Sequence, residues 1–260
     1  MTIHPTAVVA SSAQLGQDVT IGPFTFIDDR VVIGSGCVIN SHVAILRNTT
    51  LGENCQVHSG AVLGDVPQDL KFTNEETYVK IGSRCTIREG VTIHRGTKLG
   101  TATEVGNDCL LMANSHLGHN VKVGNNVIIA NGALLAGYVE VGDKTFISGN
   151  CLLHQFTRVG RLVMMSGGSA VGRDIPPFCM TPGLAGNTIM GLNIVGLRRA
   201  GFTSEQRLTL KRVLKILYQS NLNISDAVAK LEADFPDEEL VQEFCDFVKT
   251  SERGICKFIK

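Results

Sequence analysis

Residues 15–50 read LGQDVT IGPFTF IDDRVV IGSGCV INSHVA ILRNTT, six hexads that each open on Leu or Ile. Extended from Ile3 to Val171, a step of six meets an aliphatic residue or Met at 27 of 29 positions, Asp69 and Glu75 being the exceptions. Neither the 3.6-residue period of a helix nor the alternation of a half-buried strand produces such a rhythm. The second residue of a hexad is often Gly, and the fifth is small. One bulky and one small apolar residue per hexad can fill the narrow interior of a parallel β-helix, each hexad being one flat face and three of them a triangular coil.

The glycines test that geometry. They fall at Gly16, Gly34 and Gly52, then at Gly82, then at Gly106, Gly124, Gly142 and Gly160. Within a run the step is 18, one coil; between runs it is 30 and 24, one coil plus 12 and one coil plus 6. Gly serves where a turn needs positive φ or where backbones approach closely. Two segments are therefore extruded, placed near 68–79 (containing QDLKFTNEET) and 99–104, which removes Asp69 and Glu75 from the wall. Loops on a rigid scaffold commonly carry binding groups.

The rhythm ends at RDIPPF, residues 173–178, where two prolines lack the N–H that a further coil needs. Beyond Gly191 the pattern turns helical. Thr203 and Gln206 form a capping-box signature, Leu210, Val213, Leu214 and Leu217 recur at helical spacing, and further helices are predicted near Ser225 and after Pro236, the last with Leu240, Val241, Phe244 and Val248 on one face. The expected organisation is a β-helix over 1–190 and a small helical domain over 191–260.

Lys and Arg number 24, as do Asp and Glu, so no field for nucleic acid is evident. No charged, apolar leader precedes Ile3 and no apolar run is long enough to span a bilayer, which gives the expectation of a soluble cytoplasmic protein without membrane insertion. Five of the eight cysteines (Cys37, Cys55, Cys85, Cys109, Cys151) occupy the small fifth slot and are read as buried hydrophobes, reduced as in the cytoplasm.

The coil arithmetic brings four histidines to one edge. His94 and His154 take the second position of a third face, His116 ends a second face, and His119 is third on the face after it, with Gly137 and Tyr138 on the intervening coil. Coils stack at about 4.8 Å. Such a column fits either a zinc site, which needs three protein ligands and an open position, or a general base. His116 and His119 are separated by two residues, unlike the His-x-x-x-x-His of the gamma-class carbonic anhydrases, so no metal is assigned.

QDLKF, IREGVTIHRGT, NSHLGHN, LAGYVEVGD, LHQF, RDIPPF and GLNIVGLRRAGF occur in that order. Together they resemble the UDP-N-acetylglucosamine O-acyltransferase family of lipid A biosynthesis, over nearly the whole chain. The resemblance implies a left-handed parallel β-helix assembled as a homotrimer. It also implies transfer of an R-3-hydroxyacyl group from acyl carrier protein to the 3-hydroxyl of UDP-GlcNAc, with no cofactor beyond the carrier's phosphopantetheine. By the same resemblance His119 is the base and the Gly137 N–H the oxyanion donor. Asp69, Lys71, His94, His116, Asn120, Tyr138, His154, Gln155, Asn193, Arg198 and Arg199 would be the substrate-binding residues, and Gly167 would leave the acyl groove open for a long chain. Asn120 stands where many members have Asp, Tyr138 where His is usual, and Ala200 where some have a second Arg. Arg198, Arg199, Arg207, Lys211, Arg212 and Lys215 would form a basic surface for the acidic carrier. A sister N-acyltransferase on a 3-amino sugar nucleotide, a metal-dependent hydratase and a non-catalytic scaffold are the competing readings.

Overall fold

The computed structural model of the chain describes residues 1–184 and 186–259. Nearly every hexad forms a two-residue strand, and strands three hexads apart stack in parallel register, as in Thr20↔Val38 and Ile21↔Ile39. Among the described residues the prism has three sheets of 11, 9 and 8 strands. The first sheet starts at Thr2–Ile3, the second at Val8–Val9 and the third at Gln14–Leu15. The fold is the left-handed parallel β-helix of hexapeptide repeats. Its core is the first and fifth residues of the hexads: Ile21, Ile27, Ile33 and Ile39 alternate with Val19, Thr25, Val31 and Cys37, all at most 1% exposed. Each such aliphatic contributes roughly 1.5–3 kcal/mol by leaving water.

The glycines of the repeat serve close approach, not positive φ. A Cβ on Gly34 would lie 2.6 Å from the Gly52 carbonyl carbon, and one on Gly106 the same distance from the Gly124 oxygen. Positive φ falls instead on the fourth residue of the hexad, among them Asp18, Asn48, Asn54, Asn114, Asn120 and Asn126, at 56–61°. Asn and Asp tolerate that region best among residues with a Cβ. The fifth-slot thiols donate outward through the corner: Cys37, Cys55, Cys85 and Cys109 reach the carbonyls of Gly52, Gly82, Gly106 and Gly124, each at 3.1 Å. These four, and Cys151 in the same slot, are buried and free.

The strands set the extruded segments earlier than the glycine count placed them. Strands Val62–Asp65 and Tyr78–Ile81 bound the first at 66–77, and Thr92–His94 and Ala102–Val105 bound the second at 95–101. Val79 and Glu104 belong to the wall. The spacing of coil glycines gives the size of an insertion but not where the paired strand resumes. Leu99 keeps the six-step rhythm by coincidence, since it is 75% exposed.

The prolines also fail to end the prism. A further rung forms through Ile175↔Val159 and Met180↔Met164, because the donors it needs are the N–H groups of Ile175, Phe178 and Thr181, which flank Pro176 and Pro177. The chain then turns back antiparallel, Cys179↔Leu192, and enters four helices among the described residues: α1 (Ile194–Arg199), α2 (Ser204–Gln219), α3 (Ile224–Asp234) and α4 (Glu239–Lys249). Thr203 and Gln206 complete the expected capping box on α2. Its Leu210, Val213, Leu214 and Leu217 are buried, as are Val241, Phe244 and Val248 of α4. A closing strand, Lys257–Phe258, pairs with Thr188–Ile189, a contact that its short sequence does not advertise. Arg161 joins the two parts: its Nε donates to Glu243 at 2.6 Å while the guanidinium lies 4.7 Å from the Phe178 ring centroid.

Candidate active site

The outward positions of the second sheet run Val8, Phe26, Ala44, Val62, Thr92, His116, Leu134, Leu152 and Ala170. Where this column meets the corner leading to the third sheet there is a cavity of about 380 Å3. Gln68, His94, His116, His119, Gly137 and Gln155 supply its polar lining, with Leu134 and Leu152 on the apolar side.

His94 is 7% exposed and packs edge-on against His116, ring centroids 4.9 Å apart at 84°. His116 Nδ1 lies 2.7 Å from Thr92 Oγ1. Burial pushes the His116 imidazole down to about 4, helped by the neighbouring His94, and also pushes His94 down. At neutral pH both rings are therefore uncharged and act as hydrogen-bonding groups. His119 stands beside them, its Nδ1 3.1 Å from Asn120 Oδ1. Gly137 lies directly beneath that imidazole: a Cβ there would collide with Cε1 and Nε2 and reach Nδ1 at 2.9 Å. The backbone Gly137 N–H finds no acceptor among the described residues, while the Gly137 carbonyl accepts from Phe156 N–H at 3.1 Å. His119 and Gly137 thus bring a ring nitrogen and an N–H to one small cavity, groups of the kind that serve acid–base chemistry and oxyanion binding.

Other candidates lie elsewhere. His154 is exposed, bonds its own neighbour's carbonyl (Nδ1 to Gln155 O, 3.1 Å) and does not line the cavity, so three histidines rather than four converge. Asp69 caps its own turn, accepting from Lys71 N–H at 2.9 Å, and Lys71 is exposed; from this segment it is Gln68 that reaches the cavity. The segment is held from below by Arg95, 5% exposed, whose guanidinium lies 5.6 Å from the Phe72 ring centroid and donates to Asn74 Oδ1 at 3.3 Å. Asn193 is the N-cap of α1: Oδ1 accepts from Gly196 N–H at 3.0 Å and Nδ2 donates to the Leu162 carbonyl at 2.9 Å. Arg198 and Arg199 are exposed in the last turn of α1 and outside the cavity. Arg207 is engaged with the Phe202 carbonyl and with Ser204 Oγ, leaving Arg198, Arg199, Lys211, Arg212 and Lys215 as the exposed cations of this region. Gly167 is exposed, and an added Cβ would meet nothing closer than the Gly149 carbonyl at 3.6 Å.

Gln68, Leu134, Leu152 and Thr97 were not singled out by the sequence. The two leucines carried a signal all the same: they fall on outward strand positions, where a solvated wall would place polar residues. Among the described residues no group of three or more His, Cys, Asp or Glu is arranged to hold a metal ion. No helix there is long and apolar enough to cross a membrane.

Residues 174–256 match the family described as UDP N-acetylglucosamine O-acyltransferase, domain 2, and residues 30–65 and 102–137 match the bacterial transferase hexapeptide repeat. An acyl-[acyl-carrier-protein]–UDP-N-acetylglucosamine O-acyltransferase of Chlorobaculum parvum is 46% identical over 100% of this chain and 98% of its own length; one of Thermodesulfovibrio yellowstonii is 42% identical over 98% and 99%. Among solved structures, a UDP-N-acetylglucosamine acyltransferase of Bacteroides fragilis is 41% identical with a TM-score of 0.91, covering 98% of this chain and 99% of that one. The Francisella novicida enzyme is 37% identical with a TM-score of 0.95, covering 98% and 94%. With the whole chain covered at this identity, prism and helical tail alike, the chain is an acyltransferase of the acyl-[acyl-carrier-protein]–UDP-N-acetylglucosamine O-acyltransferase family.

Proposed function

We propose that this enzyme transfers an R-3-hydroxyacyl group from acyl carrier protein to the 3-hydroxyl of UDP-GlcNAc, the first step of lipid A synthesis, with His119 as general base. The observation that carries this reading is the placement of the His119 ring over Gly137 inside the cavity. His119 takes the proton of the sugar hydroxyl as its oxygen attacks the thioester carbonyl carbon. The tetrahedral oxyanion is held by the Gly137 N–H, a donor of a kind worth about 3 kcal/mol to a transition state. Collapse forms the ester, breaks the C–S bond and returns the proton to the departing thiolate. Every atom is accounted for without a cofactor, and the phosphopantetheine belongs to the carrier.

His94, His116 and Gln155 contact the sugar as neutral hydrogen-bonding groups. His154, Asp69, Lys71, Asn193, Arg198 and Arg199 do not line this cavity, and the proposal gives them a place at it only through a second copy of the chain. The apolar outward column of the second sheet supports that assembly, since Val8, Phe26, Leu134 and Leu152 are 42–60% exposed in a single chain. A homotrimer would cover it. The exposed cations of α1 and α2 suit the acidic carrier, the open space at Gly167 suits a long acyl chain, and the reduced thiols suit the cytoplasm.

The test is a two-acceptor assay with acyl-loaded carrier protein. UDP-GlcNAc should be acylated and its 3-amino analogue should be the poorer acceptor; activity on the amine alone would replace the acceptor in this reading. His119→Ala should lower kcat by about 10²–10⁴-fold. Retained transfer in that variant would remove the base.

A further inference from the structure

The extruded segment 95–101 meets the base through one residue. Thr97 N–H donates to Asn120 Oδ1 at 3.0 Å, and Thr97 Oγ1 lies 2.9 Å from the same oxygen and 3.0 Å from Tyr138 Oη. The same Asn120 oxygen is 3.1 Å from His119 Nδ1. A backbone N–H can only donate, so the amide atom that faces it is oxygen. The reversed amide would set its NH2 against that N–H, in a residue only 6% exposed, and leave a buried donor without a partner. With the amide fixed, Asn120 offers His119 only lone pairs. Nδ1 must then carry the proton, and Nε2 is left with the lone pair.

Nε2 is the nitrogen that crowds Gly137, where the oxyanion donor lies. The Tyr138 ring meets the imidazole edge-on, centroids 5.2 Å apart at 83°, and stacks on Phe156 at 5.0 Å and 18°, which limits rotation of the His119 ring. Tyr138 can hold this place because it occupies the left-handed corner of its hexad, φ 60°, directly above Asn120, also φ 60°. We propose that Thr97 is a positioning residue: through its main-chain N–H it fixes the Asn120 amide, and so fixes the tautomer in which His119 presents Nε2 as the base, with Tyr138 as the wall that keeps the ring in plane. The extrusion at 95–101 thereby gains a task in the chemistry without touching substrate. The kinetic consequence rests on His119 being the base; the tautomer itself does not.

The experiment is 15N spectroscopy of histidine-labelled protein at a pH where the imidazoles are neutral, with the His119 resonances assigned by their loss in His119→Ala. The unmodified protein should show Nδ1–H and unprotonated Nε2 at His119; a majority of Nε2–H overturns the proposal outright. Asn120→Ala should release the lock and bring in the Nε2–H form, so an unchanged spectrum there also overturns it. Thr97→Pro, which deletes both the N–H and the hydroxyl that face Asn120 Oδ1, should mix the two tautomers and lower kcat about 10–100-fold, whereas Thr97→Val, which keeps the N–H, should leave the Nδ1–H form in place. Combining Thr97→Pro with Asn120→Asp should restore Nδ1–H and recover at least about ten-fold in kcat, because a carboxylate has no donor end to turn inward. A double variant with the single variant's spectrum and rate would mean that the proline had merely damaged the segment, and would overturn the role of Thr97. If His119→Ala keeps full activity, the base fails while the spectra still decide the tautomer.

Discussion

The second and third sheets of the prism are built from the same hexad and have the same inner columns, yet their outer columns share almost nothing. On the third sheet Lys80, Glu104, Lys122, Glu140 and Arg158 stand in adjacent register, each charge facing its opposite. On the second sheet the matching coils present Thr92, His116, Leu134 and Leu152. Hollows of about 610 and 700 Å3 run along the charged ladder, larger than the 380 Å3 histidine cavity. Volume therefore does not select the site. Along the ladder each charge has an opposite charge beside it in register, with Glu140 and Arg158 paired at 3.7 Å, and none of its members is an imidazole. The second sheet keeps uncharged imidazoles and exposed aliphatic groups, Leu134 and Leu152 among them. In a repeat of this kind the inward residues make the fold and the outward residues divide the labour.

The strongest attempt to break that contrast is Gly137→Ala. The added Cβ cannot coexist with the imidazole of His119, so one must move, and kcat should fall about 10²–10³-fold while melting changes little. A variant with normal turnover would show that the ring and this corner do not act together. Next is Leu152→Lys, which puts a charge into the apolar column. Assembly measured by light scattering should weaken about 10–100-fold, in keeping with the roughly 1.5–3 kcal/mol of a buried leucine. An unaltered oligomer would place the interface on another face.

The six-residue step made the prism legible because each inward position answers to one requirement, filling a narrow interior. The capping box of α2 was legible for a similar reason, as its two side chains satisfy only each other's backbone. The limits of the extrusions were not, since Val79 and Glu104 resume a strand by pairing with distant coils, which no local pattern records. The site was partly legible. His94, His116 and His119 came from coil arithmetic, but His154 shares the position of His94 on its coil and still turns to the Gln155 carbonyl. The contact of Thr97 with Asn120 could not be found from spacing, because it is made by a main-chain N–H brought in by a loop.

Two smaller effects sharpen the contrast between the faces. His116 is pushed down to about 4 from an ordinary 6.5, so the unfolded chain takes up its proton first as pH falls. The stability tied to its neutral ring is whole above pH 6.5 and is lost as pH drops toward 4, roughly 1–2 kcal/mol after a discount for partial exposure. Melting curves of the native chain and of His116→Gln should converge in acid; parallel curves across that window would remove the burial argument.

The ladder gives the smallest change. Lys122→Gln removes the middle of five alternating charges, and its neighbours Glu104 and Glu140 are exposed on the same strand positions. Surface pairs of this kind are worth about 0.2–1 kcal/mol and are screened by salt. The variant should therefore lose less than about 1 kcal/mol at low ionic strength, nothing measurable at high, and no turnover at either. A drop in kcat would show that the third face takes part in the reaction, through the hollow that Lys122 shares with Asn120 and Tyr138.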